Sequence, residues 1–153
     1  MEICIDNLKI NYNVSGDGKD VLVMHGWGAC ADAVRPIAAS LEKSFRVWTL
    51  DLQGFGKSDV PPADWDVYSY ADFMKKFIDE TGIKTPILIG HSFGGRLAII
   101  LAGKKMVDIN KIILVDSAGI KPRRTAGYYI KVYTYKFAKR LARLVGRFSL
   151  ESA

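Results

Sequence analysis

Two short segments of this chain place glycines around residue types suited to acyl transfer. Gly90-His91-Ser92-Phe93-Gly94 has the spacing G-x-S-x-G. A serine so flanked sits on a strained strand-to-helix turn that lifts its hydroxyl clear of a sheet, and the glycines leave room for neighbouring backbone. The helix that follows points free N–H groups and a positive dipole end at the place where an oxyanion develops. The amide of Phe93 is then a natural oxyanion donor. His25-Gly26-Trp27-Gly28 is the second segment. Its glycines let backbone N–H groups turn toward a ligand, with the Trp27 amide as second donor and its indole as pocket wall. A glycine turn around a core tryptophan is the competing reading.

A serine hydroxyl is a weak nucleophile until a base takes its proton, and histidine usually serves. The chain holds two histidines, His25 and His91. His91 adjoins Ser92 on a tight turn, so its ring points away from its neighbour's hydroxyl. His25 belongs to the glycine-rich loop. Satisfied structural histidine is the better reading for both. A third segment, Asp51 to Asp59 (DLQGFGKSD), reads as a brace beneath the site.

The elements that must position these residues alternate. Glu2 to Ser15 alternates apolar and polar residues about an Asp6-Asn7 turn, the pattern of an antiparallel hairpin at a sheet edge. Val21–Met24, Phe45–Leu50, Pro86–Ile89 and Ile112–Val115 read as strands, the apolar runs among them as buried ones. Val34, Ile37, Ala38 and Leu41 keep helical spacing, with Asp32 as expected N-cap. Tyr70, Phe73, Met74, Phe77 and Ile78 form a second helical stripe, opened by a Ser69/Asp72 capping pair and closed at Gly82. Phe93 to Ala102 is apolar nearly all round, as for a helix packed centrally. Strands and helices in this order imply right-handed crossovers and a mostly parallel sheet, with chemistry at the carboxyl ends of its strands. The fold class is α/β.

Composition bounds the rest. A chain of 153 residues that is 49% hydrophobic buries one real core. Residues 1 to 116 carry 13 basic and 15 acidic side chains, whereas residues 117 to 150 carry nine basic and none acidic. The excess of positive charge thus belongs to the tail, which argues against a nucleic-acid-binding body. No apolar stretch approaches the ~20 residues of a membrane span. The N-terminus lacks the pattern of a secretory signal, so the expectation is a cytoplasmic protein in which Cys4 and Cys30 are free buried thiols. No residues have metal-ligand spacing, and no cofactor is expected.

The serine motif, the HGWG loop and the DLQGFGKSD loop, in this order and spacing, make residues 1 to 120 resemble the α/β-hydrolase superfamily. The resemblance implies a Ser-His-acid triad with Ser92 as nucleophile, oxyanion amides at Trp27 and Phe93, and a helical cap after the sixth strand. It makes His25 a brace of its loop and assigns Gly26, Gly28, Gly90, His91 and Gly94 to the structure of the pocket. Serine at the elbow, where dehalogenases and epoxide hydrolases carry aspartate, favours esters, thioesters or activated carbon–carbon bonds as small-molecule acyl substrates. The HGWG form is similar to that of the pimeloyl-carrier methyl ester esterases. In the family the catalytic histidine follows the last strand, so this chain is expected to be a truncated and by itself inactive fragment. Asp116 is at a position where some branches place the acid, although an aspartate there also braces the start of a cap. The rival reading is a non-catalytic ligand-binding homologue.

The expected division is a core over 1–118, lacking the C-terminal strands, and a cap start over 119–153. In the second part Ile130, Tyr133, Phe137, Leu141, Leu144 and Phe148 form a helical stripe, and Lys131, Lys136, Lys139, Arg140, Arg143 and Arg147 occupy other positions. Three readings stand for this basic helix over 121–147: the first cap helix, a surface for an acidic partner or membrane, or an end whose packing partners are elsewhere. The sixth strand is expected to be an open apolar edge that invites association.

Overall fold

The computed structural model describes residues 1–120 and 125–151, with side chains to residue 140. It holds six strands and four helices: β1 (Glu2–Ile5), β2 (Leu8–Ser15), β3 (Asp20–Met24), α1 (Ala31–Leu41), β4 (Arg46–Leu50), α2 (Val67–Glu80), β5 (Ile87–His91), α3 (Phe93–Gly103), β6 (Lys111–Val115) and α4 (Ala126–Glu151). One sheet runs β1-β2-β4-β3-β5-β6. Its four central and far strands are parallel, and the β1–β2 hairpin adds antiparallel to β4. Asp6 and Asn7 both take positive φ (52° and 62°), the geometry a tight two-residue hairpin turn needs.

The parallel strands read as continuous apolar runs because both faces are covered. Leu22, Met24, Leu88 and Leu97 join α2 and the hairpin in one cluster. Val21, Val23, Val47 and Ile89 pack beneath Val34 and Ala38 of α1 in the other. At the amino end of β3, Asp20 is buried and accepts two hydrogen bonds from Arg46, one from the Trp48 indole and one from the Lys84 N–H. Burial alone would raise its carboxyl, but these bonds outweigh that and hold it below the ordinary value.

Two helix starts differ from the sequence expectation. The N-cap of α1 is Cys30, not Asp32, and it makes no side-chain cap bond. The Ala31 N–H is taken instead by the Asp51 carboxylate at 2.7 Å, a cap supplied from twenty residues away. The N-cap of α2 is Asp66, whose Oδ1 accepts from the Tyr68 and Ser69 N–H groups; Ser69 is already inside the helix and donates its hydroxyl to Asp66. The cysteines also depart from expectation. Cys4 is exposed on the edge strand and Cys30 is half-buried; both are free. Strand alternation explains Cys4, since its neighbour Ile5 takes the inward position.

The contacts divide the chain into two compact units, Met1–Ile120 and Lys121–Ala153. In the second, α4 exposes Ile130, Tyr133, Tyr135 and Phe137. Lys121, Pro122, Arg123 and Arg124, and the side chains of Leu141, Arg143, Leu144, Arg147 and Phe148, lie outside the described residues. Among the described residues no helix is long and apolar enough to cross a membrane. Strand β6 ends the described sheet, with Ile113 and Val115 exposed.

Candidate active site

The register of β3 against β5 assembles the site. Met24 pairs with Gly90, so His25 and Gly26 leave β3 alongside His91, the last residue of β5, and Ser92. Gly26 lands opposite Ser92: a Cβ on residue 26 would sit 3.2 Å from the Ser92 Cβ and 3.1 Å from Nδ1 of His91. The loops are also bonded directly, because the Gly94 N–H donates to the His25 carbonyl at 3.1 Å.

Ser92 has φ 49° and ψ −108°, a conformation that L-residues avoid and that costs about 1–3 kcal/mol. The surroundings hold it there. Its N–H donates to the Val115 carbonyl, and its own carbonyl accepts from the Arg96 and Ala118 N–H groups. The turn closes only with glycine beside it. A Cβ on Gly90 would meet Gly95 Cα at 2.4 Å, and one on Gly94 would meet the Met24 carbonyl oxygen at 2.5 Å. Gly95, which the sequence reading passed over, is as constrained, with Ser117 Oγ 2.3 Å from its would-be Cβ. The Gly94-Gly95 doublet was its visible signal.

Ser92 is half-buried, and among the described residues its hydroxyl has no hydrogen-bond partner. The N–H groups of Trp27 and Phe93 likewise have no acceptor among the described residues. Gly28 takes φ 75°, and the Ala29 N–H closes the turn on the Gly26 carbonyl. Trp27 is 63% exposed, so the reading of that loop as a turn around a core tryptophan does not hold.

His25 is fully buried. Its Nδ1 lies 2.8 Å from the Gly26 carbonyl oxygen and its Nε2 2.9 Å from the Leu52 nitrogen. Only the neutral Nδ1–H tautomer satisfies both, donating to the carbonyl and accepting the Leu52 N–H. Burial holds its pKa below the ordinary value, against the opposing pull of the Gly26 bond and the Asp51 charge. Both ring nitrogens are thus engaged in bracing the loop. The His91 ring rests against Gly26.

The DLQGFGKSD loop braces the assembly from the next strand. Asp51 accepts from the Ala31 and Lys57 N–H groups and from the Asn11 amide, at 2.7 to 2.9 Å. Burial pushes its carboxyl up, and these donors more than reverse that. A Cβ on Gly56 (φ 56°) would fall 2.2 Å from Asp51 Oδ2, so glycine is required there. Ser58 bonds the Asp51 carbonyl and accepts the Asn11 N–H.

Aromatic rings frame the mouth. Trp27 stands edge-on to Phe55, Tyr70 and Phe93, and Tyr70 is perpendicular to Phe93 and Trp65. The Tyr70 hydroxyl donates to the Gln53 carbonyl at 3.1 Å. Phe55, Trp65 and Tyr70 are site residues that the sequence reading did not single out, because their helical or loop spacing reads as ordinary core. Asp116 follows β6, exposed, at φ 43°; among the described residues its carboxylate makes no hydrogen bond or ion pair. It lies between Val115 and Ala118, which are both bonded to the Ser92 backbone. Among the described residues no cluster of side chains is suited to a metal.

A family model described as the alpha/beta hydrolase fold matches residues 20–149. The chain belongs to the alpha/beta hydrolase family. It is 28% identical over 144 residues to the pimeloyl-[acyl-carrier protein] methyl ester esterase of Pseudoalteromonas atlantica, covering 87% of this chain and 52% of that protein. It is 32% identical over 130 residues to the 2-hydroxymuconate semialdehyde hydrolase of a Pseudomonas species, covering 82% of this chain and 46% of that one. A crystal structure of a membrane phospholipase A, a bacterial virulence factor, superposes with a TM-score of 0.77 at 33% identity, over 82% of this chain and 41% of the other. The chain spans from about a third to about half the length of the curated relatives it matches. The mostly parallel sheet with flanking helices, expected from the order of strands and helices, and its alpha/beta hydrolase form, implied by the resemblance of the three loops, are what the structure holds.

Proposed function

We propose that this chain forms the nucleophile and oxyanion half of a serine hydrolase of carboxylesterase type. The observation that carries the reading is Ser92, held at φ 49°, whose hydroxyl, like the amides of Trp27 and Phe93, has no hydrogen-bond partner among the described residues. The Ser92 oxygen attacks an acyl carbonyl carbon while a base takes the hydroxyl proton. The carbonyl oxygen becomes an oxyanion between the two N–H groups. Collapse expels the leaving alkoxide, thiolate or carbanion, which takes the proton, and water then releases the acid from Ser92 by the same route. Esters, thioesters and activated carbon–carbon bonds are the substrate class, in keeping with a methyl ester esterase and a semialdehyde hydrolase among the relatives.

Neither histidine of the chain serves as the base in this reading: His25 is engaged at both nitrogens, and His91 adjoins Ser92 on the turn with its ring toward Gly26. Asp116 is the candidate acid within the chain, next to the residues that hold the elbow. Helix α4 is read as the first helix of a cap, with its lysines and arginines suited to an acidic partner or anionic surface. A second reading, a binding protein without turnover, draws on the lack of any base bonded to Ser92 among the described residues. Fluorophosphonate treatment of the full-length protein separates the two. Labelling located to Ser92 by mass spectrometry and abolished in Ser92→Ala is expected. An unlabelled full-length protein would overturn the hydrolase reading.

A further inference from the structure

Beside Trp27 lies a cavity of about 570 Å³. Four of its ten lining residues are aromatic (Trp27, Phe55, Trp65 and Tyr70), and Pro61 and Pro62 close one side. Among the described residues, Asp64 is the one charged residue in the lining. Ser92 does not line it; the cavity meets the candidate site at Trp27, one residue from the glycine that touches Ser92.

We infer that this cavity is a subsite for an uncharged aryl group. The walls are set before any ligand arrives. Trp65 packs 5.3 Å from Tyr70 and 5.1 Å from Phe73, Tyr70 is tied to the Gln53 carbonyl, and Trp27 lies 4.9 Å from Phe55 at 76°. Rings at steep angles to one another offer edges and faces together, the arrangement in which an aromatic guest gains beyond simple burial. A rigid wall also loses little conformational freedom on binding. The rim is apolar and wet: Val60 is 74% exposed and Trp27 63%. Covering such surface favours an apolar guest. Asp64 is exposed and screened by solvent, so the lining offers no buried charge to hold an ion of either sign, and a charged guest would lose hydration without a partner. As part of the substrate site, the cavity rests on Ser92 being the nucleophile; its affinity for an aryl group does not.

The chain's three tryptophans supply the test. The Trp48 indole is bonded to Asp20 at the amino end of β3 and serves as an internal control. Titration of 15N-labelled protein with 2-naphthol should shift the Trp27 and Trp65 indole N–H resonances saturably and leave that of Trp48 in place. Its saturated counterpart, decahydro-2-naphthol, and the anion 2-naphthoate should each bind at least ten-fold more weakly. Trp65→Leu should weaken naphthol binding by a similar factor. Val60→Asp, at an exposed position that does not bear on folding, should do so as well. Equal affinity for the saturated alcohol, tighter binding of a naphthyl ammonium ion, no shift, or indifference to both substitutions would each overturn the inference. Naphthol binding without fluorophosphonate labelling would sink the hydrolase reading and leave the subsite standing; labelling without naphthol binding would do the reverse.

Discussion

Gly26 approaches Ser92 so closely that a Cβ on residue 26 would stand 3.2 Å from the serine Cβ. That distance is tighter than ordinary packing, so Gly26→Ala should push the Trp27 loop back by a few tenths of an ångström. Loss of a whole oxyanion donor costs ~10²–10³ in rate. A displaced donor should cost less, and fluorophosphonate labelling of Ser92 in the full-length protein should slow by roughly 10-fold. Stopped-time mass spectrometry reads the rate, and an unchanged rate would mean the Trp27 amide is not a donor.

Asp51 should prove the most sensitive carboxylate in the first unit. Its three donors come from α1, from the following loop and from β2. Asp51→Ala leaves buried donors unpaired and should cost about 2–4 kcal/mol in urea denaturation. Gly56→Ala should cost a similar amount, since the new methyl meets the same carboxylate. A loss below about 0.5 kcal/mol in both would contradict the brace.

His25 gives stability a defined pH dependence. Its folded pKa lies below the ordinary histidine value of 6.5, so below pH 6.5 the unfolded chain takes up a proton that the folded one resists. The number of bound protons is then larger in the unfolded state, and stability rises with pH. Its contribution is complete above about pH 6.5 and is lost as pH falls toward and through the depressed value. The lowered pKa values of Asp20 and Asp51 act on the acid side of 3.8, outside this window. Thermal midpoints measured between pH 5 and 7 should decline toward acid, and His25→Gln should flatten that slope while lowering the midpoint throughout.

Tyr70 acts through its neighbours. Tyr70→Phe removes the bond to the Gln53 carbonyl, worth about 1 kcal/mol, and leaves the ring contacts with Trp27 and Phe93. Tyr70→Ala removes both and should cost ~3–5 kcal/mol. It should also shift the Trp27 fluorescence maximum, whereas the phenylalanine variant should leave it unchanged.

Much of this arrangement was legible in the residues. Apolar runs such as Val21–Met24 read as buried strands because nothing but a covered parallel sheet suits them, and Asp6-Asn7 announced its turn. Local rules failed where a distant group did the work. Asp32 looked like an N-cap, yet Asp51 caps α1 from another loop. Ser69 looked like a cap because it follows the true one by three residues. The constraint on Gly95 depends on Ser117, which no window around the elbow contains. Trp65 gave no periodic signal, since its meaning comes from Tyr70 and Phe73 across a bend.

The edge at β6 is testable in the chain of residues 1–153. Among the described residues, Ile113 and Val115 are exposed on a strand that pairs on one side only. Such edges template association. Ile113→Lys should lower the apparent mass in concentration-dependent light scattering, with the circular dichroism unchanged.

The bonds that orient the serine turn and the tryptophan loop all close within the first unit: His25 to Leu52, Gly94 to His25, Val115 and Ala118 to Ser92. The geometry of that turn and loop is therefore fixed before the long basic helix begins. An exchange confined to residues 121–153 should therefore leave the Ser92 turn and the Trp27 loop in place, whatever it does to substrate choice.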